Sequence, residues 1–130
     1  MIVPDASAVI EVLLRTDTGR ALEDRLFAPE ETLHAPELID LEVVQVLRRL
    51  ESRGELSARR AFLAIETFTD FRIVRYAHEP MLGRIWELRK NLTAYDAAYV
   101  ALAEALDAPL LTCDGSLASA PGIRARIIVG

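Results

Sequence analysis

The chain has 130 residues, 52% of them hydrophobic, enough for one domain over residues 1–130 with a full apolar core, which excludes a disordered chain. No apolar stretch approaches the ~20 residues needed to cross a bilayer, so a membrane-spanning helix is excluded. The formal net charge of −5 speaks against simple binding of a polyanion, and the single cysteine, Cys113, excludes an internal disulfide or a cysteine-based zinc cluster.

In chain order, Met1 to Pro4 reads as a strand that leads directly to an acid, Asp5, with no basic leader or cleavage site, and a cytoplasmic location is expected. Ala6 to Leu14 reads as a helix with Ser7 near its start, and Thr18 to Phe27 as a second. A strand is expected over Thr32 to Ala35, followed by a helix that Pro36 opens and Gly54 stops after Arg53. Ser57 caps a helix running to Phe71. Phe71 to Tyr76, with Ile73 and Val74, reads as a strand. Pro80 to Arg89 and Thr93 to Leu106 are expected helices, and Pro109 to Thr112 and Arg126 to Val129 are expected strands. Short apolar strands alternating with amphipathic helices imply a three-layer α/β/α sandwich around a mainly parallel sheet, whose ligands gather at the carboxyl edge.

Four acids are directed to that edge. Asp5 follows the first strand and Asp114 the strand ending at Thr112. Asp96 lies in the first turn of a helix that precedes a strand of the same layer. Glu42 lies ~9 Å along the helix opened by Pro36, at ~1.5 Å per residue, within reach of a long side chain leaning back toward the helix start. Each acid also has a local reading. Asp5 can cap the helix at Ala6, Asp96 can complete a capping box with Thr93, and Asp114 can cap a turn from Gly115 to Ala118. Glu42, at the border of the stripe formed by Ile39, Val43, Val46, Leu47 and Leu50, can pair with Arg49 in solvent. Taken together, four clustered acids repel one another unless a cation neutralises them. Oxygen-only ligation favours Mg²⁺, with Mn²⁺ as substitute, and two such ions would offset four negative charges. His34 and His78 have no helical partner at ligand spacing and read as surface or satisfied core residues.

The stretches VPDASAVIEVLL, APELIDLEVVQVLRRL and LTAYDAAYVALAEALDAPLLTCDGSLA together resemble the PIN-domain ribonucleases, and among them the VapC toxins of bacterial toxin–antitoxin pairs. The likeness covers essentially the whole chain. It implies a Mg²⁺-dependent endoribonuclease in which Asp5, Glu42, Asp96 and Asp114 are catalytic and hold the metal. It further implies that the Thr112 hydroxyl supports the last acid, with Ser7 beside the first. The usual partner is a VapB-type antitoxin that covers the acidic cleft, and the toxin is usually a homodimer. Pro4 departs from the apolar strand residue of many relatives, and Gly115 and Ser116 provide no further acid after Asp114. Arg48, Arg49 and Arg53 on the Glu42 helix, with Arg89 and Lys90 ahead of Asp96, are candidate RNA contacts, solvated helix faces being the alternative. Two rival readings stay open from the residues themselves. One is a phosphoryl-transfer α/β domain, which would need a lysine near the phosphoryl group. The other is a non-catalytic binding module whose acids only cap helices.

Overall fold

Five short strands form one parallel layer in the computed structural model, which describes residues 1–130. They are β1 (Val3–Pro4), β2 (Leu33–Pro36), β3 (Ile73–Tyr76), β4 (Leu110–Thr112) and β5 (Ile127–Val129). β2 pairs with β3, and β1, β4 and β5 form a second ladder. A parallel bridge between Ile2 and Leu33 joins the two, with Ile2 N–H donating to the Thr32 carbonyl and His34 N–H to the Ile2 carbonyl, each at 3.0 Å. The resulting order is β3-β2-β1-β4-β5. It reverses direction between β1 and β4, and in open α/β sheets that is where a crevice opens beyond the strand ends.

Helices α1 (Ala6–Leu13), α2 (Asp17–Leu26), α3 (Ile39–Ser52) and α4 (Ala58–Thr69) pack among themselves, and α5 (Leu82–Glu87) packs on α6 (Ala94–Leu106). Both α1 and α6 rest on β1 and β4, which gives the three layers. A last short helix, α7 (Ser116–Ser119), leads to β5. Four helix starts are fixed by side-chain acceptors. Asp5 accepts from Ala8 N–H, Thr16 from Gly19, Ser57 from Arg60 and Thr93 from Asp96. α3 has no cap of its own. The Leu38 N–H instead donates to His78 Nε2 at 3.1 Å, which requires the tautomer with its proton on Nδ1. His34 is buried and satisfied at both ring nitrogens, by Tyr76 Oη at 2.7 Å and Thr32 Oγ1 at 2.8 Å.

The helix expected from Pro36 starts three residues later. Pro36 closes β2 opposite Tyr76, where the end of a strand tolerates a missing N–H, and Glu37 N–H bonds to the Tyr76 carbonyl. The helix expected over Pro80 to Arg89 is broken into a 3₁₀ turn, Glu79–Met81, and the short α5. The other expected elements differ at their ends by one or two residues, the usual scatter of fraying termini.

α2 crosses α1 closely because Gly19 has no side chain. A Cβ there would lie 2.0 Å from the Glu11 carbonyl oxygen, against backbone that cannot yield without moving α1. Gly19→Ala is therefore expected to cost about 1–3 kcal/mol by overpacking, read as a lower melting temperature. A melting temperature equal to wild type would show that the contact is slack.

Candidate active site

Asp5 owes its position to sheet register. Val3 stands opposite Leu110 and Pro4 opposite Leu111, so one step further Asp5 meets Thr112, and its N–H bonds to the Leu111 carbonyl at 3.0 Å. Its carboxylate is buried, yet both oxygens have donors. Oδ1 accepts from Ser7 Oγ at 2.6 Å and Ala8 N–H at 3.1 Å, and Oδ2 accepts from Thr112 Oγ1 at 2.5 Å. The capping role of Asp5 is thus real, and the same carboxylate lines the cavity described below. Burial pushes this carboxyl above its ordinary range, against the opposing pull of the Ser7 and Thr112 hydroxyls and the neighbouring N–H groups.

Thr112 is fully buried, and its Oγ1 also accepts from the Asp114 N–H at 2.9 Å. One hydroxyl therefore holds the Asp5 carboxylate and fixes the backbone that presents Asp114. Ser7 Oγ likewise accepts from Cys113 N–H at 2.9 Å, tying the start of α1 to the same turn.

Asp114 is exposed and caps its own turn, as one reading of the sequence expected. Oδ1 accepts from the Ser116 N–H at 3.0 Å and the Ser116 hydroxyl at 2.7 Å, and these two bonds hold its carboxyl below the usual range. Asp96 sits in the first turn of α6 and is half-buried. Thr93 caps its N–H at 3.2 Å, but the return bond of a full capping box, from the Asp96 carboxylate to the Thr93 N–H, is not formed. Burial raises the Asp96 carboxyl, and the charges of Asp114 and Asp5 raise it further.

Glu42 needs less reach than a helix opened by Pro36 would demand. Because α3 starts at Ile39, Glu42 falls in its first turn, close to the strand edge. It does not pair with Arg49. Its Oε1 accepts a 2.6 Å bond from Tyr99 Oη, across 57 positions of chain. Burial raises the Glu42 carboxyl, the Tyr99 bond opposes this, and the charges of Asp96 and Asp5 add to the rise. Tyr99 also lines the cavity and was not singled out in the sequence. The signal was there: a tyrosine buried among alanines needs a partner for its hydroxyl, and three residues after Asp96 it shares that helix face. Burial and the Glu42 bond raise the phenol well above its ordinary value, so it stays the donor.

All four acids line one cavity of about 890 Å³ between α1, α3 and the start of α6. No ion pair neutralises any of them. The bonds to Ser7, Thr112, Tyr99 and Ser116 set their directions, and no three converge tightly enough to hold an ion in this conformation.

Residues 2–123 match the family model of the PIN domain. The chain belongs to the PIN-domain family. Within it, the chain is 41% identical to Ribonuclease VapC12 of Mycobacterium tuberculosis over 127 residues, covering 98% of this chain and 97% of that protein. It is 45% identical to Ribonuclease VapC9 of the same species over 114 residues, 88% and 86% of the two chains. This PIN domain is thus a member of the VapC ribonucleases. Its fold matches the crystal structure of VapBC2 from Rickettsia felis, solved bound to a promoter DNA fragment, with a TM-score of 0.70 at 14% identity over 98% of both chains.

The PIN-domain donor set fits a hard divalent cation. Every donor is a carboxylate oxygen, three of the four are pushed up by burial, Glu42 and Asp96 are raised further by their neighbours' charges, and no lysine lines the cavity. Of the arginines and the lysine considered as RNA contacts, only Arg49 reaches the cavity wall. Arg48 donates to Gln45 Oε1 at 3.2 Å and lines a separate groove of about 260 Å³ between α3 and α4. Arg89 lies over the Trp86 ring, 4.4 Å from its centroid, and donates to the Trp86 carbonyl. Lys90 and Arg53 are exposed and lie outside the cavity lining.

Proposed function

We propose that this chain is the Mg²⁺-dependent endoribonuclease toxin of a VapBC-type pair, its 130 residues working as one cytoplasmic domain with Asp5, Glu42, Asp96 and Asp114 as metal ligands. The observation that carries this reading is the presence of four carboxylates, from four separate stretches of chain, on one cavity whose single cation, Arg49, forms an ion pair with none of them. A bound Mg²⁺ or Mn²⁺ supplies the charge that lowers the pKa of an attacking water and stabilises the leaving oxygen. Asp5, Asp96 and Asp114 would hold the ion, with Glu42 either a fourth ligand or the group that orients its water. In the second role Glu42, aimed by Tyr99, would take the water's proton, which then goes to the leaving oxygen. Ser7 and Thr112 keep Asp5 in place, and Arg49 meets a phosphate along the groove. With water as nucleophile, the RNA 2′-hydroxyl takes no part. The absence of a lysine from the cavity removes the support for the phosphoryl-transfer alternative.

The partner is a VapB-type antitoxin that closes the acidic cavity with a basic side chain, and the toxin itself is a homodimer. The R. felis relative, described as VapBC2, supports a two-protein assembly of this kind. The test is cleavage of total RNA by the purified chain with Mg²⁺ or Mn²⁺, cut sites being mapped by end sequencing. Cleavage should stop in EDTA and return with excess Mn²⁺. Undiminished cleavage in EDTA, or none with either metal, would overturn the reading.

A further inference from the structure

Tyr95 is 65% exposed, sits one residue before Asp96, and lines the cavity of the four acids. Other exposed aromatics are accounted for elsewhere. Trp86, 67% exposed, is covered on one face by Arg89, Phe27 stands edge-on to Phe71, and Phe62 lines the separate groove between α3 and α4. The Tyr95 ring meets no other aromatic ring or guanidinium, and its hydroxyl has no protein partner. The wall contributed by α3 and the residue before it offers Leu38, Leu41 and Val46, with Leu41 76% exposed, and two turns from Glu42 it ends in Arg49, the only cation of the lining. An acid cluster, an uncovered aromatic face beside it, an apolar wall and one cation together match the chemistry of a nucleotide: scissile phosphate with its metal, base, next phosphate.

We infer that Tyr95 is the stacking platform for the nucleobase adjoining the scissile phosphate, a positioning residue that sets where the strand enters the acid cluster. The inference rests on the ribonuclease reading and deepens it. Stacking on an aromatic face tolerates any base, so Tyr95 fixes register on the strand and leaves choice of sequence to other contacts. It also requires a base that is free of its duplex partner, since an A-form helix keeps its faces stacked.

The test uses an oligoribonucleotide carrying a mapped cut site, and copies made abasic on either side of it. Tyr95→Ala should raise KM about ten- to a hundredfold, the range typical of alanine substitution at base-stacking aromatics, while kcat falls much less. Tyr95→Phe and Tyr95→Trp should restore KM, and Tyr95→Leu, with apolar bulk but no π face, should not. One abasic copy should erase the difference between wild type and Tyr95→Ala. An unchanged KM for Tyr95→Ala, or full rescue by leucine, would overturn the inference while wild-type cleavage leaves the ribonuclease reading intact. An unchanged KM with weakened antitoxin binding would assign the ring to the protein partner and overturn it equally. A wild type that cuts no RNA with metal would overturn both.

Discussion

Asp96→Asn is expected to slow cleavage about a hundredfold or more and at the same time to stabilise the metal-free protein. The loss of activity follows from removing one charge of the proposed ligand set, and a single lost electrostatic contact at a reacting centre costs on the order of a hundred- to a thousandfold in rate. The gain in stability follows from the sign of its pKa shift. The Asp96 carboxyl is raised in the fold by burial and by the charges of Asp114 and Asp5. A carboxyl whose folded pKa lies above its unfolded value destabilises the fold once it is ionised. That penalty is absent below the unfolded pKa and grows as pH rises through the folded one. Asn removes it at neutral pH. Melting temperature in EDTA should therefore be higher for Asp96→Asn than for wild type at about pH 7, and the two should converge toward about pH 4, near the ordinary carboxylate range. Added Mn²⁺ should raise the wild-type melting temperature and move the variant much less. Asp114 carries the opposite sign. Its bonds to Ser116 lower its carboxyl, so its contribution to stability is present above the ordinary carboxylate range and is lost as pH falls. A variant at Asp96 that cuts RNA at the wild-type rate, or that melts below wild type in EDTA, would remove Asp96 from the site.

Three of the four acids were legible because strand direction alone delivers them. β1 and β4 are neighbours at the point where strand order reverses, so whatever follows Pro4 and Thr112 arrives at one crevice. The first turn of α6 reaches the same crevice because α6 precedes β4. Glu42 was placed by reach, and the reach was overstated because Pro36 looks like a first helical residue when it is the last residue of β2. What strand direction cannot deliver is contact between distant positions. The Tyr99–Glu42 bond joins two helices 57 positions apart: that a tyrosine on the Asp96 face needs a partner for its hydroxyl is legible in the sequence, but which distant residue supplies it is not. The same limit applies to the basic residues. Arg48 and Arg49 are adjacent in sequence, yet about 100° of helical rotation sends one to the α3–α4 groove and the other to the acid cavity.

Thr112→Val is the substitution that separates the framework of the site from its charges. Valine keeps the shape of threonine and replaces the hydroxyl with a methyl group, leaving strand β4 its packing. It removes two bonds at once, the 2.5 Å donation to the buried Asp5 carboxylate and the 2.9 Å acceptance from the Asp114 N–H. A buried polar group left without its partner costs about 1–3 kcal/mol, and with the Asp114 N–H only part-buried a destabilisation of about 1–3 kcal/mol is expected by urea unfolding. Thr112→Ser keeps the hydroxyl and should recover most of it. The effect on activity has its own signature. The Thr112 bond lowers the Asp5 carboxyl, so without it that carboxyl rises further and is ionised only at higher pH. At low Mn²⁺ the rise of cleavage with pH should therefore shift toward alkaline pH in Thr112→Val, and excess metal should pull it back, because metal and proton compete for the same oxygens. A Thr112→Val variant that loses stability but keeps the wild-type pH profile would make the threonine a purely structural residue of β4. An alkaline shift that Thr112→Ser reverses would instead show that the hydroxyl ties Asp5 and Asp114 into one electrostatic unit.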